Sequence, residues 1–226
     1  MNTPGKLTNI IFDMDGCLID SEQAYIRAWA YAFERKKIPI EMSEIISWAG
    51  EGKLVINDKV TAITGSRELA MEMRQIREDY FYVLLDQGEV MIKPYAYEIL
   101  DFIKSQGLGI AIASTTFSDR GERMLEKFQL KKWISTVTWG DEVAVAKPDP
   151  EVYLKTLDKL KAQKEDCLVF EDSYNGVVAA VRAGLTVVNV PDTSVRQTRE
   201  IPPVYAVIPD FREGIEIIRR RLSCGD

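Results

Sequence analysis

The stretch Ile10-Ile11-Phe12-Asp13-Met14-Asp15-Gly16 joins a short apolar run to two closely spaced carboxylates and a glycine. The run from Leu7 to Phe12 is rich in β-branched residues, which predicts a fully buried strand. Side chains two residues apart in extended chain point the same way, so Asp13 and Asp15 can face one pocket while Met14 points away. Because Asp-Gly is also a common turn pair, a simple polar turn remains an equally good interpretation of this stretch alone.

The rest of the chain alternates apolar runs with helical patterns. Further strands are predicted at residues 108–113, 134–138, 167–170, 186–190 and 206–208. Helices are predicted at residues 95–105, 118–128, 151–160, 175–183 and 211–222. Gly107 and Gly184 stand where two of these helices should end. The alternation predicts an α/β fold with a doubly wound, Rossmann-like parallel sheet.

One segment interrupts the alternation. From about Ser21 to Gly88 the apolar residues follow helical spacing, and no convincing strand is found. We therefore expect residues 20–89 to form an all-helical insertion, and residues 1–19 and 90–226 to form the core domain. Ligands of open α/β sheets bind beyond the carboxyl ends of the strands, which is the edge where the insertion leaves, so it should cover the pocket as a lid.

Bulk composition excludes several classes of partner. The chain has 226 residues, a formal net charge of -6 and scattered basic residues apart from Arg219-Arg220-Arg221, which is not the basic surface that nucleic acid requires. No apolar stretch approaches a membrane span, and nothing indicates an obligate protein partner. The polar N-terminus lacks the pattern of a signal peptide, and the cysteines, Cys17, Cys167 and Cys224, are odd in number; both observations favour the cytoplasm.

The chain contains no histidine. This excludes Ser-His-Asp and Cys-His nucleophile systems, histidine-bound zinc and imidazole acid/base catalysis. Any catalysis must therefore depend on carboxylates, lysines, hydroxyls and a bound metal.

Three further polar groups follow apolar runs. Ser114 and Thr115 follow residues 108–113 and could cap the next helix or bind a phosphate. Lys147, in Lys147-Pro148-Asp149-Pro150, could be a solvated charge, but the two prolines stiffen its loop and favour an anion-binding role. Glu171 and Asp172 end the run 167–170; a helix cap explains Asp172 but not Glu171, and together with Asp13 the pair could complete a Mg²⁺ site.

In this order, the motifs resemble those of the haloacid dehalogenase superfamily, and within it the β-phosphoglucomutase-like phosphatases. The first family motif, Asp-x-Asp-Gly with Asp-Ser four residues on, matches residues 13–21, and the others match Ser114, residues 147–150 and residues 171–176. The resemblance covers essentially the whole chain. It implies that the helical insertion is the cap domain of this family.

The resemblance also implies a mechanism. Asp13 would attack phosphorus to give an aspartyl-phosphate, and Asp15 would protonate the leaving oxygen and then activate water. Mg²⁺ would be held by Asp13, the Asp15 backbone carbonyl and Asp172. Glu171 would either bind the metal directly or support the residues that bind it. Ser114, Thr115, Lys147 and backbone N–H groups would hold the transferring oxygens. The expected activity is hydrolysis of a small phosphorylated metabolite, most simply a sugar phosphate.

Two alternatives to a phosphatase remain. The mutases of the subfamily carry a histidine and an arginine in the cap where this chain has Tyr25 and Lys53, and a lysine lacks the bidentate fork of arginine, which favours hydrolysis. Lys53, Trp48 and Tyr25 are the candidate substrate-binding residues of the cap, although Trp48 and Tyr25 could equally be packing residues. A phosphate-sensing module without turnover is the second alternative, but such receiver domains have no helical insertion after the first strand.

Overall fold

A parallel sheet between helices forms the larger part of the molecule, and a bundle of four helices forms the smaller part. The computed structural model describes residues 6–192 and 199–223. Its strands are β1 (Asn9–Phe12), β2 (Ile19–Asp20), β3 (Met91–Ile92), β4 (Gly109–Ala113), β5 (Thr136–Thr138), β6 (Cys167–Glu171), β7 (Thr186–Asn189) and β8 (Ala206–Val207). Its helices are α1 (Glu22–Lys36), α2 (Met42–Ile46), α3 (Lys53–Thr64), α4 (Arg67–Asp86), α5 (Ala96–Ser105), α6 (Ser118–Lys127), α7 (Glu151–Leu160), α8 (Tyr174–Arg182) and α9 (Phe211–Ser223).

The large sheet has six parallel strands in the order β5-β4-β1-β6-β7-β8. β1 lies between β4 and β6, and Phe12 at its end pairs with Ile112 on one side and Phe170 on the other. The residues that follow these three strands therefore emerge side by side at one edge of the sheet. The predicted α/β, Rossmann-like fold is confirmed, with strand ends that differ from the predicted ones by one or two residues.

Alternate residues of the central strands belong to two apolar layers. In β1, Ile10 and Phe12 pack on one face of the sheet, whereas Ile11 packs on the other. β6 repeats the pattern, with Leu168 and Phe170 on the first face and Cys167 and Val169 on the second. Burial on both faces explains why the strands read as continuous apolar runs rather than as alternating ones.

The four helices α1 to α4 have an apolar core of their own. Trp29, Phe33 and Trp48 meet in it, with ring centroids 5.7 Å apart for Trp29 and Trp48 and 6.0 Å apart for Phe33 and Trp48. Other residues of α1 and α4, among them Ala28 and Phe81, pack instead against the apolar layer of the sheet. The segment from Ser21 to Gly88 is thus helical without a strand, as predicted from its spacing.

The two chain segments that join the helical segment to the core pair with each other. β2 and β3 form an antiparallel ribbon in which Ile19 faces Ile92, and the Lys93 N–H donates to the Leu18 carbonyl at 2.9 Å. The Lys93 ammonium lies 3.3 Å from Asp20 and 3.1 Å from Asp192. The sequence indicated only linkers here, because strands of two residues are too short to produce a periodic pattern.

Three remaining expectations concern the cysteines, the membrane and the N-terminus. Cys17 and Cys167 are buried free thiols, and Cys224 and residues 1–5 lie outside the described residues. Within residues 6–192 and 199–223, helices long and apolar enough to cross a membrane are absent.

Candidate active site

The polar residues that follow β1, β4 and β6 surround one cavity. Asp13 follows β1, Ser114 follows β4 and Asp172 follows β6, while Lys147 reaches the same cavity from the loop before α7. The cavity holds about 270 Å³, and residues of α1 to α4 line its other side. This volume is slightly below the range for small-molecule pockets, about 300–1,000 Å³. The predicted residues Asp15, Thr115, Tyr25, Trp48 and Lys53 also line it.

Lys147 connects two buried carboxylates at the base of the cavity. Its ammonium lies 2.6 Å from Asp13 Oδ1 and 2.6 Å from Glu171 Oε1. Tyr153 donates its hydroxyl to the same Glu171 oxygen at 3.0 Å. Burial disfavours the charge on Lys147, but the two carboxylates outweigh it and raise the lysine pKa. The lysine is therefore a permanently charged group in contact with Asp13.

The carboxylates at the base of the cavity carry more negative charge than the Lys147 ammonium can neutralise. Burial raises the pKa of Asp13 to about 7; the charges of Glu171 and Asp15 add to this effect, and Lys147 opposes it. Burial and the neighbouring carboxylates, Glu171 first among them, also raise the pKa of Asp172. Asp13, Glu171 and Asp172 each offer an oxygen within 4.8 Å of the others, and hard oxygen ligands suit Mg²⁺. The donor set and its excess charge fit a divalent cation.

Glu171 differs from the other two carboxylates in its contacts. Its Oε1 accepts from Lys147 and Tyr153, and its Oε2 accepts from the Ser173 N–H at 3.0 Å and the Ser173 hydroxyl at 3.2 Å. A Cβ on Gly176 would lie 1.6 Å from Glu171 Oε1, so only glycine lets the start of α8 approach this carboxylate. These contacts suit a residue that orients Lys147, whereas Asp13 and Asp172 face the cavity.

Asp15 is held by three hydroxyl groups. Ser21 and Tyr25 donate to its Oδ1 at 2.8 and 2.9 Å, and Thr116 donates to its Oδ2 at 2.5 Å. Met14, between the two aspartates, is fully buried in the apolar layer, as the alternation of an extended chain predicts. Asp13 and Asp15 thus share one cavity but have different partners: the Lys147 ammonium contacts Asp13, and three hydroxyls contact Asp15.

Ser114 and Thr115 form the wall of the cavity beside β4. Ser114 is buried, and its hydroxyl accepts from the Thr116 N–H at 3.0 Å, so the turn after the strand is fixed by its own side chain. Thr115 is partly exposed to the cavity. A Cβ on Gly140 would lie 2.1 Å from the Thr115 carbonyl, which requires a glycine where the two loops meet.

The three predicted cap residues occupy different positions. Tyr25 contacts Asp15 directly, and its ring stacks on Phe81 with centroids 4.4 Å apart. The Lys53 ammonium lies 3.7 Å from the centroid of the Phe117 ring. Trp48 belongs to the apolar core of the helical segment and also borders the cavity, with its indole N–H donating to Glu44 at 3.2 Å. Trp48 thus both packs in the helical core and borders the cavity.

Sequence reasoning missed a charged group contributed by α4 and α6. The buried residues of α4 recur at helical spacing, and two of these positions are occupied by Arg74 and Arg77. Glu78 follows them and accepts two hydrogen bonds at 3.2 Å from Arg120 of α6, which also donates to Thr116 at 2.9 Å. Arginine at positions where the helical pattern requires apolar residues was a signal that could have revealed this group.

The family comparison agrees with this geometry. Residues 7–184 match the model of the haloacid dehalogenase-like hydrolases. The chain belongs to this family. The predicted resemblance is therefore confirmed, and the protein is a hydrolase of the haloacid dehalogenase type.

Individual relatives of this family match most of the chain. It is 31% identical over 180 residues to a phosphorylated carbohydrates phosphatase of Thermotoga maritima, covering 78% of this chain and 81% of the relative. A solved hydrolase of Pseudomonas syringae is 25% identical with a TM-score of 0.80, covering 94% of this chain and 98% of the other. A beta-phosphoglucomutase of Clostridium difficile, 20% identical, has the same fold, with a TM-score of 0.79 and coverage of 96% and 97%.

Proposed function

We propose that the protein is a magnesium-dependent phosphatase that hydrolyses a small phosphorylated metabolite through an aspartyl-phosphate on Asp13. The observation that carries the proposal is the division between two carboxylates in one cavity, Asp13 against the Lys147 ammonium and Asp15 among three hydroxyls. A nucleophile must be ionised, whereas a proton carrier must be positioned at the leaving oxygen. A sugar phosphate is the substrate class that the Thermotoga maritima relative supports.

Asp13 would attack phosphorus from the base of the cavity. Lys147 would favour the ionised form of Asp13 against the effect of burial, and it would contact the oxygens of the transferring group. Ser114 and Thr115 would hold those oxygens from the opposite wall. Phosphoryl transfer needs chiefly in-line positioning and charge neutralisation, so these residues are sufficient for the protein's part in the first step.

Asp13, the Asp15 backbone carbonyl and Asp172 would hold Mg²⁺. The metal would neutralise charge on the transferring oxygens. Glu171 would support this group through Lys147, because its own oxygens already accept hydrogen bonds from Lys147, Tyr153 and Ser173. Of the two roles that the sequence left open for Glu171, we propose the supporting one.

Asp15 would transfer the protons. It would donate one to the leaving oxygen of the substrate and then accept one from the water that attacks the aspartyl-phosphate. The hydroxyls of Ser21, Tyr25 and Thr116 fix both of its oxygens in place. Since two of these three residues, Ser21 and Tyr25, lie at or beyond the start of the helical segment, Asp15 would be correctly oriented when that segment covers the cavity.

Hydrolysis is favoured over a mutase reaction by Tyr25. A phenol oxygen is too weakly basic to take up the extra proton that a histidine carries. Burial raises the pKa of the Tyr25 phenol well above its usual value, so Tyr25 also keeps its own proton. We also propose that residues 20–89 form a cap domain over a core domain of residues 1–19 and 90–226.

The test is phosphate release from p-nitrophenyl phosphate and a panel of sugar phosphates with Mg²⁺. We expect Asp13→Asn to lower kcat/KM by at least about 10³-fold, or ~4 kcal/mol of transition-state stabilisation. Asp158→Asn, which changes an exposed aspartate of α7, is the matched control. EDTA should abolish activity and added Mg²⁺ should restore it. Equal activity of wild type and Asp13→Asn would refute the mechanism, and interconversion of hexose 1- and 6-phosphates without net phosphate release would favour the mutase.

A further inference from the structure

Three carboxylates at the base of the cavity lie close enough together to bind one cation. Asp13, Glu171 and Asp172 each offer an oxygen within 4.8 Å of the other two. Distance alone would therefore allow Glu171 to bind the metal, yet both of its oxygens accept hydrogen bonds from the protein. The number of carboxylates that a cation meets thus depends on what holds Glu171 in place.

Tyr153 of α7 fixes one oxygen of Glu171. The tyrosine side chain is fully buried in the second apolar layer of the sheet, and its hydroxyl lies 3.0 Å from Glu171 Oε1. An ionised carboxylate only accepts hydrogen bonds, so the phenol is the donor. Because side chains pack closely around the buried ring, the hydroxyl has little freedom to move, and it holds Oε1 at one position.

The Lys147 ammonium alone would not fix this oxygen. It lies 2.6 Å from Glu171 Oε1 and also 2.6 Å from Asp13 Oδ1, so two carboxylates share it. A lysine carries rotatable donors on a flexible stem, so it could stay paired with Glu171 if that side chain turned towards the cavity. The hydroxyl of Tyr153 could not follow such a turn, because its ring is fully buried.

The other oxygen of Glu171 is held from the start of α8. The Ser173 N–H and hydroxyl lie 3.0 and 3.2 Å from Oε2. The same hydroxyl accepts from the Gly176 N–H at 3.1 Å, so it also caps the helix. Ser173 borders the cavity and is partly exposed, whereas Tyr153 is fully buried. Of the two hydroxyls that contact Glu171, that of Tyr153 is therefore the more firmly placed.

We propose that Tyr153 is a positioning residue that keeps Glu171 away from the metal and thereby makes the site selective for Mg²⁺ over Ca²⁺. This inference rests on the proposed magnesium-dependent phosphatase. Mg²⁺ keeps several waters and is usually bound through one or two carboxylates, which Asp13 and Asp172 would supply. Ca²⁺ takes about six to eight oxygen ligands in a flexible arrangement, so a third carboxylate from Glu171 would favour it.

The test measures the affinity of cations rather than turnover. Mn²⁺ bound to the full-length protein is followed by electron paramagnetic resonance, and its displacement by Mg²⁺ or by Ca²⁺ gives a Kd for each. We expect Tyr153→Phe to lower the ratio of the Ca²⁺ Kd to the Mg²⁺ Kd by about tenfold. The substitution exchanges one neutral ring for another, so the net charge of the site is unchanged.

Other variants assign the effect to Glu171. Tyr97→Phe removes a hydroxyl that donates to the Phe128 carbonyl at 3.1 Å, and it should leave the ratio intact. The double variant Tyr153→Phe/Glu171→Gln should stay within about twofold of the ratio of Glu171→Gln alone, because an amide replaces the released carboxylate. Ser173→Ala should shift the ratio in the same direction as Tyr153→Phe but by a smaller factor. It replaces Tyr153→Phe if circular dichroism shows that variant to be unfolded.

A crystal structure of Tyr153→Phe with Ca²⁺ gives a direct readout. A Glu171 oxygen should lie about 2.3–2.6 Å from the cation in the variant, and this contact should be absent from the wild-type complex with Mg²⁺. The same Glu171 contacts in both structures would overturn the inference.

The outcomes separate this inference from the proposed function. An equal change of both affinities in Tyr153→Phe would indicate a merely structural role and would overturn the inference, as would an equal shift in Tyr97→Phe or a shift that persists in the double variant. A shifted ratio without hydrolysis of any phosphate monoester would support the role of Tyr153 and refute the phosphatase function. Failure of all three cations to bind the wild type would refute both.

Discussion

Replacing Arg120 by methionine should weaken both the fold and the reaction. Arg120 of α6 donates to both Glu78 oxygens of α4 at 3.2 Å and to the Thr116 hydroxyl at 2.9 Å, and Thr116 in turn donates to Asp15. Its guanidinium also lies 4.8 Å from the centroid of the Tyr25 ring. One side chain thus connects the helical segment, the core and the proposed proton carrier.

The magnitude follows from how far this ion pair is removed from water. An exposed pair contributes about 0.2–1 kcal/mol, and breaking a fully buried one costs about 3–5 kcal/mol. The Arg120 and Glu78 side chains are 14% and 20% exposed, and Glu78 keeps Arg77 as a partner in the variant. We therefore expect Arg120→Met to lower the free energy of unfolding by about 2–3 kcal/mol, which corresponds to a fall in Tm of roughly 5–10 °C.

Urea denaturation at pH 7 of wild type, Arg120→Met, Glu78→Gln and the double variant measures the pair directly. The double-mutant cycle should give a coupling energy of about 1–2 kcal/mol. Steady-state kinetics should show a lower kcat in Arg120→Met, because Thr116 loses the donor that orients it towards Asp15. Additive effects within about 0.5 kcal/mol, together with an unchanged kcat, would refute the reasoning.

Three other substitutions test separate parts of the site. Gly176→Ala should lower the free energy of unfolding by ~2 kcal/mol or more, measured in urea, because its Cβ would lie 1.6 Å from Glu171 Oε1; an unchanged stability would contradict the packing. Tyr25→Phe should lower kcat about 3- to 10-fold through loss of the hydrogen bond to Asp15 and leave Tm nearly unchanged, since ring stacking is retained. Burial, together with charge repulsion that comes chiefly from Asp15, raises the pKa of Glu22 to about 8. In EDTA the free energy of unfolding should therefore fall as pH rises from 4.5 to 8, because over this range Glu22 ionises only in the unfolded state. Glu22→Gln should remove a slope of up to about 1.4 kcal/mol per pH unit, and equal slopes in variant and wild type would exclude Glu22 as its source.

The fold and the base of the cavity were predictable because both depend on local signals. Apolar runs identified β1, β4 and β6, and a parallel sheet necessarily brings their carboxyl ends together. Asp13, Ser114 and Asp172 therefore lie where the order of motifs placed them. Their catalytic roles follow from the family resemblance and stay predictions until the variants are measured.

The side of the cavity that the helical segment lines was less predictable because it depends on how two separate segments pack. The contact between Glu78 and Arg120 joins residues 42 positions apart in the chain, and helical periodicity carries no information about such a pair. Arg74 and Arg77 are different, since they interrupt an apolar helical face and could have been recognised from the sequence. Lys53 was instead the residue predicted from the family resemblance, because it stands where the mutases carry an arginine.

The ribbon of β2 and β3 has a consequence for exchanging specificity between relatives. Because Ile19 pairs with Ile92 and Asp20 with Met91, the chain enters and leaves the helical segment through one hydrogen-bonded unit. The corresponding segment of another member of the family could be grafted between these two strands, and only one junction, the ribbon, would have to be matched. The ribbon thus allows the helical segment to be exchanged as one unit. A chimera joined there should keep the reaction of the protein that provides the sheet and acquire the substrate preference of the protein that provides the helices.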